Sequence, residues 1–418
     1  MDFLSFIRAQ WENLPILLKQ EHVSGGIFII TGSNHGIGRE AARHVAQLGP
    51  ARVIIAVRSR EKGDEAKAWI ESTTGGKTIV ESWILDITDF ASIRAFAARC
   101  DAELDRIDGL VQNAAEAVDR FETNAQGHEI SIAGNVIGTA LLAVLLLSKV
   151  AATARKFGVT PHMVIVTSQM GFTTPQATEL VDRGLFDALK QENLSPMSDR
   201  YAVSKLIGII LFREMAKVFP ASATGTVINL ISPGLCNTGL ARNSHSLTWR
   251  TQVWLLNLLI GRTPEMGSRT ILHAMMAEKE SHGAFLSDCQ IKEHWVPDWA
   301  KHEGGEALQK GIWDQTAIRS HVMKENMLVG LRRLVGDDLS TCAPGIRWTA
   351  HTRLLIHQFM HIISDAMYPA SLCQPYEVLK GIWFQTLFTN EAYFHAVLGL
   401  TATCVGILTG NAAQDLQM

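Results

Sequence analysis

Short β-rich runs alternate with helical patterns from residue 26 onward, and this rhythm constrains the fold more than any other feature of the chain. The runs are apolar at consecutive positions, which is typical of strands that are covered on both faces. The intervals between them are long enough for a helix, so we expect right-handed crossovers and parallel pairing. The sequence therefore predicts a doubly wound α/β domain. The predicted strands are residues 27–30, 52–57, 78–85, 108–111, 163–167 and 226–231, and the clearest helices are 39–48, 61–71 and 89–103.

The alternation stops well before the C-terminus, which divides the chain into two predicted parts. Residues 1–320 form the α/β domain, with 283–291 as a last strand and 306–318 as a closing helix. Residues 321–418 contain more aromatic, Cys and His side chains and lack the strand–helix rhythm. We predict a mainly helical C-terminal extension of unknown role. Within it, residues 392–410 barely reach the length of a membrane span and are predicted to form a buried helix.

Composition and charge argue against several classes of protein. The chain is 47% apolar and 19% charged, which supplies ample material for a core. A formal net charge of −3 provides no basic field for nucleic acid or for an anionic membrane. The cysteines are scattered without a metal-ligand spacing, so we expect reduced thiols, a cytoplasmic location and no metal site. Residues 1–20 do not resemble a signal peptide; we predict a helix that packs on the domain, with weak contact to a membrane surface as the alternative.

Three glycines lie at the first strand-to-helix junction, in Ile-Ile-Thr-Gly-Ser-Asn-His-Gly-Ile-Gly-Arg-Glu. Because Gly32, Gly36 and Gly38 have no side chains, the turn can be tight and a pyrophosphate can approach the N-terminus of the next helix. The helix dipole and the free N–H groups favour negative charge there. A strand before the glycines and a helix after them make this pattern specific for a dinucleotide site.

The residue at the end of the second strand indicates which dinucleotide binds. An NAD enzyme usually places an acidic residue about 20 positions after the glycines, where it accepts from the ribose 2′-hydroxyl. This chain has Arg58 there, followed by Lys62. A guanidinium binds a 2′-phosphate and does not replace a carboxylate, which favours NADP(H) over NAD(H). The alternatives are that Arg58 is simply solvated, or that Arg39, Arg60 or Lys62 shares or takes its role.

Tyr201 and Lys205 are four positions apart in a helical pattern, so their side chains are expected on one face. A free tyrosine has a pKa of about 10. An ammonium about 5 Å away contributes roughly 3 kcal/mol at an effective dielectric of 20, which predicts a pKa lower by about two units. Ser168 follows the fifth strand and Asn135 precedes it in a long helical stretch. Taken singly, these residues also fit an ordinary amphipathic pair, a helix cap and a helix kink.

These motifs together resemble the short-chain dehydrogenase/reductase family over residues 25–240. The matching parts are the Thr-Gly-x-x-x-Gly-x-Gly turn, Asn113 of Gln-Asn-Ala-Ala, Asn135, Ser168 and the Tyr-x-x-x-Lys pattern. Ala115 departs from the family's usual Asn-Ala-Gly. The resemblance is strongest to the retinol-dehydrogenase-like branch, and especially to fungal reductases of secondary metabolism. It implies a Rossmann fold.

The resemblance also implies catalytic roles. Tyr201 donates a proton to the carbonyl oxygen of the substrate, or removes it in the alcohol direction. Ser168 hydrogen-bonds that oxygen, and Lys205 tunes Tyr201 and holds the nicotinamide ribose. Asn135 supports a water that connects Lys205 to solvent.

Further cofactor contacts follow from the same resemblance. Asp86 after the third strand contacts the adenine, although a helix cap is an equally simple role for it. Asn113, Tyr201 and Ile37 of the glycine turn also bind the cofactor by this resemblance. Thr238 closes over the carboxamide after the Pro-Gly turn. Cys236 lies in that turn but has no adjacent His base in the sequence, so it is not interpreted as a nucleophile.

Two segments are predicted to form the walls of the substrate pocket. Residues 172–198 are an insert between Ser168 and Tyr201, longer than in compact members of the family. Residues 240–262 provide an apolar lid in this prediction, with packing of a helix on the domain as the alternative. A pocket with these walls favours a bulky, poorly polar ketone, aldehyde or alcohol. The apolar residues of the predicted lid are Trp249, Trp254, Leu255, Leu256 and Leu259.

The leading hypothesis is an NADP(H)-dependent oxidoreductase acting on CH–OH groups. It interconverts a hydrophobic ketone or aldehyde and its alcohol and, by resemblance, serves as a tailoring reductase in fungal secondary metabolism. The alternative is a non-catalytic dinucleotide-binding regulatory protein that uses the C-terminal extension for interaction. The expected partner is a hydrophobic small molecule, with no nucleic acid and no membrane span. A homodimer is expected by analogy with the family.

Overall fold

The computed structural model describes residues 3–174, 177–192, 195–239, 251, 256–301 and 312. Within these residues eight strands form one sheet, and helices cover both of its faces. The strands are β1 Ile27–Thr31, β2 Arg52–Val57, β3 Ile79–Ile84, β4 Gly109–Gln112, β5 His162–Val166, β6 Val227–Ser232, β7 Phe285–Ser287 and β8 Gln290–Ile291. The helices are α1 Phe3–Gln10, α2 Gln20–Val23, α3 Gly36–Gln47, α4 Arg60–Thr74, α5 Phe90–Glu103, α6 Ile130–Ile132, α7 Thr139–Phe157, α8 Ala177–Asp182, α9 Leu185–Leu189, α10 Met197–Val218, α11 Ala221–Thr224 and α12 Pro264–Ala274. A π-helical segment, Ala133–Gly138, joins α6 to α7, and short 3-10 turns lie at Gln169–Thr173, Lys279–Ser281, Glu293–Trp295 and Asp298–Ala300.

The sheet has the order β3-β2-β1-β4-β5-β6-β7-β8, and every pair except β7–β8 is parallel. The strand order reverses between β1 and β4. In open α/β sheets, ligands bind outside the carboxyl ends of the strands at such a switch point. The predicted doubly wound Rossmann-like fold is confirmed, and it places the glycine turn after β1 beside the loop after β4.

The strands form where the sequence is apolar at consecutive positions. All residues of β1, β5 and β6 are buried, because helices cover both sides of the central strands. Helices α3, α4 and α12 pack on one face, and α5, α7 and α10 pack on the other. One helical run among the described residues, Ile130–Phe157, is long and apolar enough to cross a membrane, but 89% of the apolar 18-residue stretch within it is buried inside the protein. It is the central core helix of its layer.

The last predicted strand, residues 283–291, is instead a tight hairpin of β7 and β8. Asp288 and Cys289 have φ of 52° and 56°. Two successive positive φ angles are the signature of a two-residue hairpin turn. Arg262 Nη1 donates to Asp288 Oδ1 at 2.7 Å, and both side chains are almost fully buried. The prediction of one continuous strand was wrong because this tertiary contact holds a turn that the apolar pattern does not mark.

The N-terminal segment packs on the domain as predicted, but its helix is short. Helix α1 ends at Gln10, and an extended stretch continues to residue 19 with Leu14 and Leu18 buried. Arg269 Nη1 donates to the carbonyl oxygen of Leu14, so the extended backbone is bonded to the domain. Pro15 also disfavours a longer helix here.

Several predictions lie outside the described residues. They are the closing helix at 306–318, the boundary near residue 320, the extension 321–418 and the apolar run 392–410 within it. The one exception is Ile312, which the structure describes as helical and buried. These remain predictions.

Candidate active site

The glycine turn between β1 and α3 has the geometry of an anion cradle. Gly32 and Gly36 have φ of +65° and +61°, a left-handed backbone that favours glycine. Helix α3 begins at Gly36, and the N-cap residue His35 makes no side-chain capping hydrogen bond. The first N–H groups of α3 are therefore not satisfied by their N-cap side chain, which suits a phosphate.

Asn113 braces this turn from the loop after β4. Its Nδ2 donates to the carbonyl oxygens of Thr31 and Gly32 at 2.9 and 3.1 Å. A Cβ on Gly38 would lie 2.4 Å from Asn113 Nδ2, so the third glycine is needed for this contact. Ala115, which replaces the family's glycine, has no positive φ and causes no backbone strain. The predicted residue is thus in place, and the amide group shapes the cradle.

Arg58 lies directly after β2, at the carboxyl end of the sheet. Its side chain is 58% exposed, and Nη1 donates to Glu116 Oε1 at 3.2 Å. Lys62 is an exposed residue in the first turn of α4, whereas the guanidinium of Arg39 stacks 4.0 Å above the ring of Trp69. Among these cations, Arg58 is therefore accessible to a ligand and is held by a carboxylate at the same time.

Asp86 stabilises its own turn and does not cap helix α5. Its Oδ1 accepts from the Thr88 N–H at 2.9 Å and from the Thr88 hydroxyl at 2.7 Å. The cap of α5 is Asp89, whose Oδ1 accepts from the N–H of Ala91. The alternative role of Asp86 as a helix cap is therefore wrong, and the adenine contact stays a prediction.

Asn135 lies in the π-helical segment, where a widened turn interrupts the helix. Such bulges occur frequently at functional sites. Its Nδ2 donates to the Glu116 carbonyl oxygen at 2.8 Å and to Ser204 Oγ at 2.9 Å. Its Oδ1 accepts from the N–H of Glu116 at 2.8 Å. Asn135 thus fixes the loop after β4 to helix α10, one position before Lys205.

The structure brings Ser168, Tyr201 and Lys205 together. Lys205 Nζ is 5.7 Å from the centre of the Tyr201 ring and donates to the carbonyl oxygen of Val166 at the end of β5 at 2.9 Å. Ser168 Oγ accepts from the N–H of Met170, capping a 3-10 turn, and its side chain also hydrogen-bonds to Tyr201. The cap predicted as an alternative role for Ser168 therefore coexists with the contact to the phenol.

Burial dominates the protonation of this pair. It raises the pKa of Tyr201 to about 12, and the hydrogen bond with Ser168 opposes this shift only in part. Burial lowers the pKa of Lys205 to about 8. The expectation that Lys205 holds the pKa of Tyr201 below 10 is wrong for the protein alone. The reason is that both groups lie in a low-dielectric site and the amine is bonded to the Val166 carbonyl oxygen.

The turn after β6 meets the glycine turn from the opposite side. A Cβ on Gly36 would lie 3.4 Å from Thr238 Cγ2, so Thr238 sits against the cofactor cradle. Cys236 Sγ donates to the carbonyl oxygen of Pro233, and burial raises the pKa of this thiol to about 12. The thiol therefore stays protonated at neutral pH, as expected for a residue that is not a nucleophile.

The predicted pocket walls are described only in part. In the insert, Leu185, Phe186 and Leu189 of α9 are buried against the domain. In the second wall, Leu256 and Leu259 are 43% and 70% exposed. Trp249, Trp254 and Leu255 lie outside the described residues. Among the described residues, no group of His, Cys, Asp or Glu side chains has the arrangement of a metal site.

Three side chains that shape the site are not predicted by the sequence. Glu116 pairs with Arg58, Arg200 holds the insert next to Tyr201, and Gln10 reaches the turn after β6. Only Arg200 leaves a sequence signal, since it is a charged residue directly before the tyrosine of the motif. The partners of Glu116 and Gln10 are distant in sequence, so no local pattern reveals them.

Fold and site define a class: a doubly wound dinucleotide-binding oxidoreductase with a Ser, Tyr and Lys set beside the cofactor cradle. The family model for short chain dehydrogenase matches residues 26–179. Curated relatives that are 36% and 34% identical to the chain are matched over most of their own length. The chain belongs to the short-chain dehydrogenase/reductase family, as its motifs indicated.

Two of the similar curated proteins, both from fungi, illustrate the relationship. Short chain dehydrogenase/reductase dmxR8 of Cryptosporiopsis is 36% identical over 72% of this chain and 92% of its own length. Short-chain dehydrogenase anuD of Penicillium roqueforti is 34% identical over 75% of this chain and 82% of its own. A solved structure of an uncharacterised protein from Mycobacterium paratuberculosis has a TM-score of 0.50 at 23% identity, covering 74% of this chain and 96% of that one, which supports the fold alone. The retinol-dehydrogenase-like branch is not distinguished and stays a prediction.

Proposed function

We propose that this oxidoreductase uses NADP(H) to interconvert a hydrophobic ketone or aldehyde and its alcohol. In this proposal it is a cytoplasmic tailoring reductase of fungal secondary metabolism. The observation that carries the proposal is the meeting of Tyr201, Ser168 and Lys205 beside the glycine turn, with Lys205 Nζ 5.7 Å from the centre of the phenol ring.

The cradle fits a pyridine dinucleotide by its own geometry. The left-handed glycines and the start of α3 suit the pyrophosphate, and Arg58 supplies a guanidinium where a ribose 2′-phosphate would lie. Asp86 and Thr238 are proposed to contact the adenine and the carboxamide. When bound, NADP(H) supplies or accepts the hydride.

The chain's own residues handle the proton and the substrate oxygen. Ser168 donates a hydrogen bond to the carbonyl oxygen and orients it, and Tyr201 Oη donates the proton in the reductive direction. A phenol with a pKa raised to about 12 is protonated at neutral pH, so the proton to be donated is present, but a pKa this far above the operating pH makes it a weak acid in the protein alone. Lys205 holds the ribose, and the Asn135 bonds keep α10 in register with the loop after β4. Exposed leucines at 256, 258 and 259 favour an apolar substrate at the second wall.

Changing Arg58 to Asp is expected to reverse the cofactor preference. The variant loses a charge-assisted contact and places a carboxylate next to Glu116, so NADPH affinity should fall about 10- to 100-fold while NADH affinity holds or improves. Dissociation constants from nucleotide fluorescence measure both. Arg155→Asp, the same charge change at an exposed position in the last turn of α7, is the matched control. If the ratio of the NADPH and NADH dissociation constants is unchanged in Arg58→Asp, another cation binds the ribose 2′-phosphate.

Cofactor affinity is expected to depend on pH through Lys205. With its pKa lowered to about 8, the amine is charged below that pH and neutral above it. If binding favours the charged amine, the affinity for NADPH stays constant below about pH 8 and falls as pH rises, by at most about tenfold per pH unit. Titrating the NADPH dissociation constant from about pH 6.5 to about pH 9.5 tests this. If the NADPH dissociation constant of Lys205→Met still rises above about pH 8, a different group is responsible for the pH dependence.

A further inference from the structure

Gln10, at the end of α1, makes three hydrogen bonds to backbone that is more than 200 positions away. Its Nε2 donates to the carbonyl oxygens of Leu235 and Ile260 at 2.9 and 3.0 Å. Its Oε1 accepts from the N–H of Leu235 at 3.2 Å. The Gln10 side chain is buried, at 5% exposure. The Gln10 amide therefore bonds to both the N–H and the carbonyl oxygen of Leu235, as the backbone of a neighbouring strand would.

The two backbone segments that Gln10 joins also bond to each other, two residues beyond Ile260. The N–H of Arg262 donates to the Leu235 carbonyl oxygen at 2.8 Å, and the N–H of Asn237 donates to the Arg262 carbonyl oxygen at 2.8 Å. The backbone of residues 235–237 therefore lies beside the backbone of Arg262, and Cys236 and Arg262 form a parallel β-bridge. Gln10, from the N-terminal helix α1, bonds to both sides of this junction.

The side chain of Arg262 stabilises the same junction through hydrogen bonds to three other segments of the chain. Its Nη1 donates to the carbonyl oxygen of Pro233 at 3.1 Å and to Asp288 Oδ1 at 2.7 Å, and its Nη2 donates to the carbonyl oxygen of Ala9. The side chains of Arg262 and Asp288 are 1% and 2% exposed. These three bonds fix the position of the buried guanidinium, although its Nε has no hydrogen-bond partner among the described residues.

The turn after β6 is shaped to receive the N-terminal segment. Gly234 has φ of +79°, and a Cβ there would lie 2.2 Å from Gln10 Oε1 and 2.9 Å from Arg262 Nη1. A side chain at 234 would thus displace both braces. Four residues further on, Thr238 rests against Gly36 of the cofactor cradle.

We propose that Gln10 and Arg262 are positioning residues for the cofactor, acting through the 233–238 turn that carries Thr238. The N-terminal segment holds this turn at the correct distance from Gly36, so that Thr238 meets the bound dinucleotide without further ordering of the backbone. Pre-ordered contacts bind more tightly because less conformational entropy is lost on binding. The role in cofactor binding rests on the proposed function.

The test is Gln10→Met, which keeps the size of the side chain and removes all three hydrogen bonds. Hydrogen exchange of peptides covering 233–239 and 260–264, measured without nucleotide, should become about tenfold faster, and the NADPH dissociation constant should rise about five- to tenfold. The thermal midpoint should move by only a few degrees. Glu12→Ala, an exposed change in the same segment, should match the native protein in all three measurements.

Native exchange rates and native NADPH affinity in Gln10→Met would overturn the proposal. Faster exchange with unchanged NADPH affinity would also overturn it, because the brace would then be structural only. If the native protein binds no NADPH, the proposed function fails while the exchange data still report on the brace. Should Gln10→Met not fold, Gln10→Asn serves instead, since it keeps the amide but is one methylene too short to reach both carbonyl oxygens.

Discussion

Replacing Tyr201 with Phe is expected to reduce carbonyl reduction by about 10²- to 10⁴-fold, the range for loss of a general acid. The variant removes only the hydroxyl that hydrogen-bonds with Ser168 and leaves the aromatic ring beside Lys205. NADPH affinity and thermal stability should stay close to native values. The loss should therefore appear in kcat, because the missing contact acts on the reacting oxygen and not on cofactor binding.

The assay follows NADPH oxidation with a ketone that the native protein accepts, found by screening hydrophobic ketones and aldehydes. Asp199→Asn, an exposed isosteric change two positions earlier in α10, is the control and should keep full activity. Native-like turnover by Tyr201→Phe would show that a different group transfers the proton. If the native chain binds NADPH but reduces none of the carbonyl compounds, the non-catalytic alternative gains support.

Changing Arg200 to Met is expected to lower the free energy of unfolding by about 3–5 kcal/mol. Arg200 is fully buried, 3.6 Å from Glu129, which is also buried. Its two terminal nitrogens donate to the carbonyl oxygens of Leu189 and Ser195 at 2.6 Å each. The variant leaves a carboxylate and two carbonyl oxygens without these donors in the interior.

Urea unfolding measures the effect, with Arg120→Met as an exposed control that should lose less than about 0.5 kcal/mol. Adding Glu129→Leu to Arg200→Met should recover part of the loss, because the unpaired charge is removed. Recovery stays incomplete, since Glu129 also accepts from the N–H groups of Ser131 and Ile132. A loss below about 1 kcal/mol in Arg200→Met would mean that water replaces the guanidinium.

This pair also links the insert to Tyr201. Arg200 directly precedes Tyr201 in α10 and bonds to the insert at Leu189 and Ser195. The insert and the phenol are therefore placed by one side chain. The sequence predicted the insert as a pocket wall but not its anchor, because burial of an arginine depends on partners from several segments.

Local patterns were sufficient for much of the site. The glycine spacing and the strand before it predicted the cradle, and the four-residue interval predicted that Tyr201 and Lys205 share a face of α10. Ser168 was expected after β5 and is found there. These predictions succeed because strand ends, tight turns and helical periodicity are set by residues close in sequence.

The energetics of the same residues did not follow from spacing. The pKa of Tyr201 is raised where a decrease was expected, because desolvation of the phenol is the dominant effect. Desolvation also lowers the pKa of the Lys205 amine, which weakens the positive charge that was expected to lower the pKa of Tyr201. Asn113 and Asn135 were assigned to ligand and water contacts, yet their amides also bond to backbone of other elements. Dielectric environment and long-range partners are properties of the packed protein.

By itself, the sequence determined a doubly wound sheet, a dinucleotide turn after β1 and the residue types of the active site. Periodicity and glycine placement depend on residues close together in the sequence, so they specify helices, strands and turns without reference to tertiary packing. Only the tertiary structure decided the hairpin at Asp288 and Cys289, the buried Arg200–Glu129 pair and the attachment of Gln10 to the turn after β6. Each of these joins groups that are far apart in the chain, and the fold alone brings them within hydrogen-bonding distance.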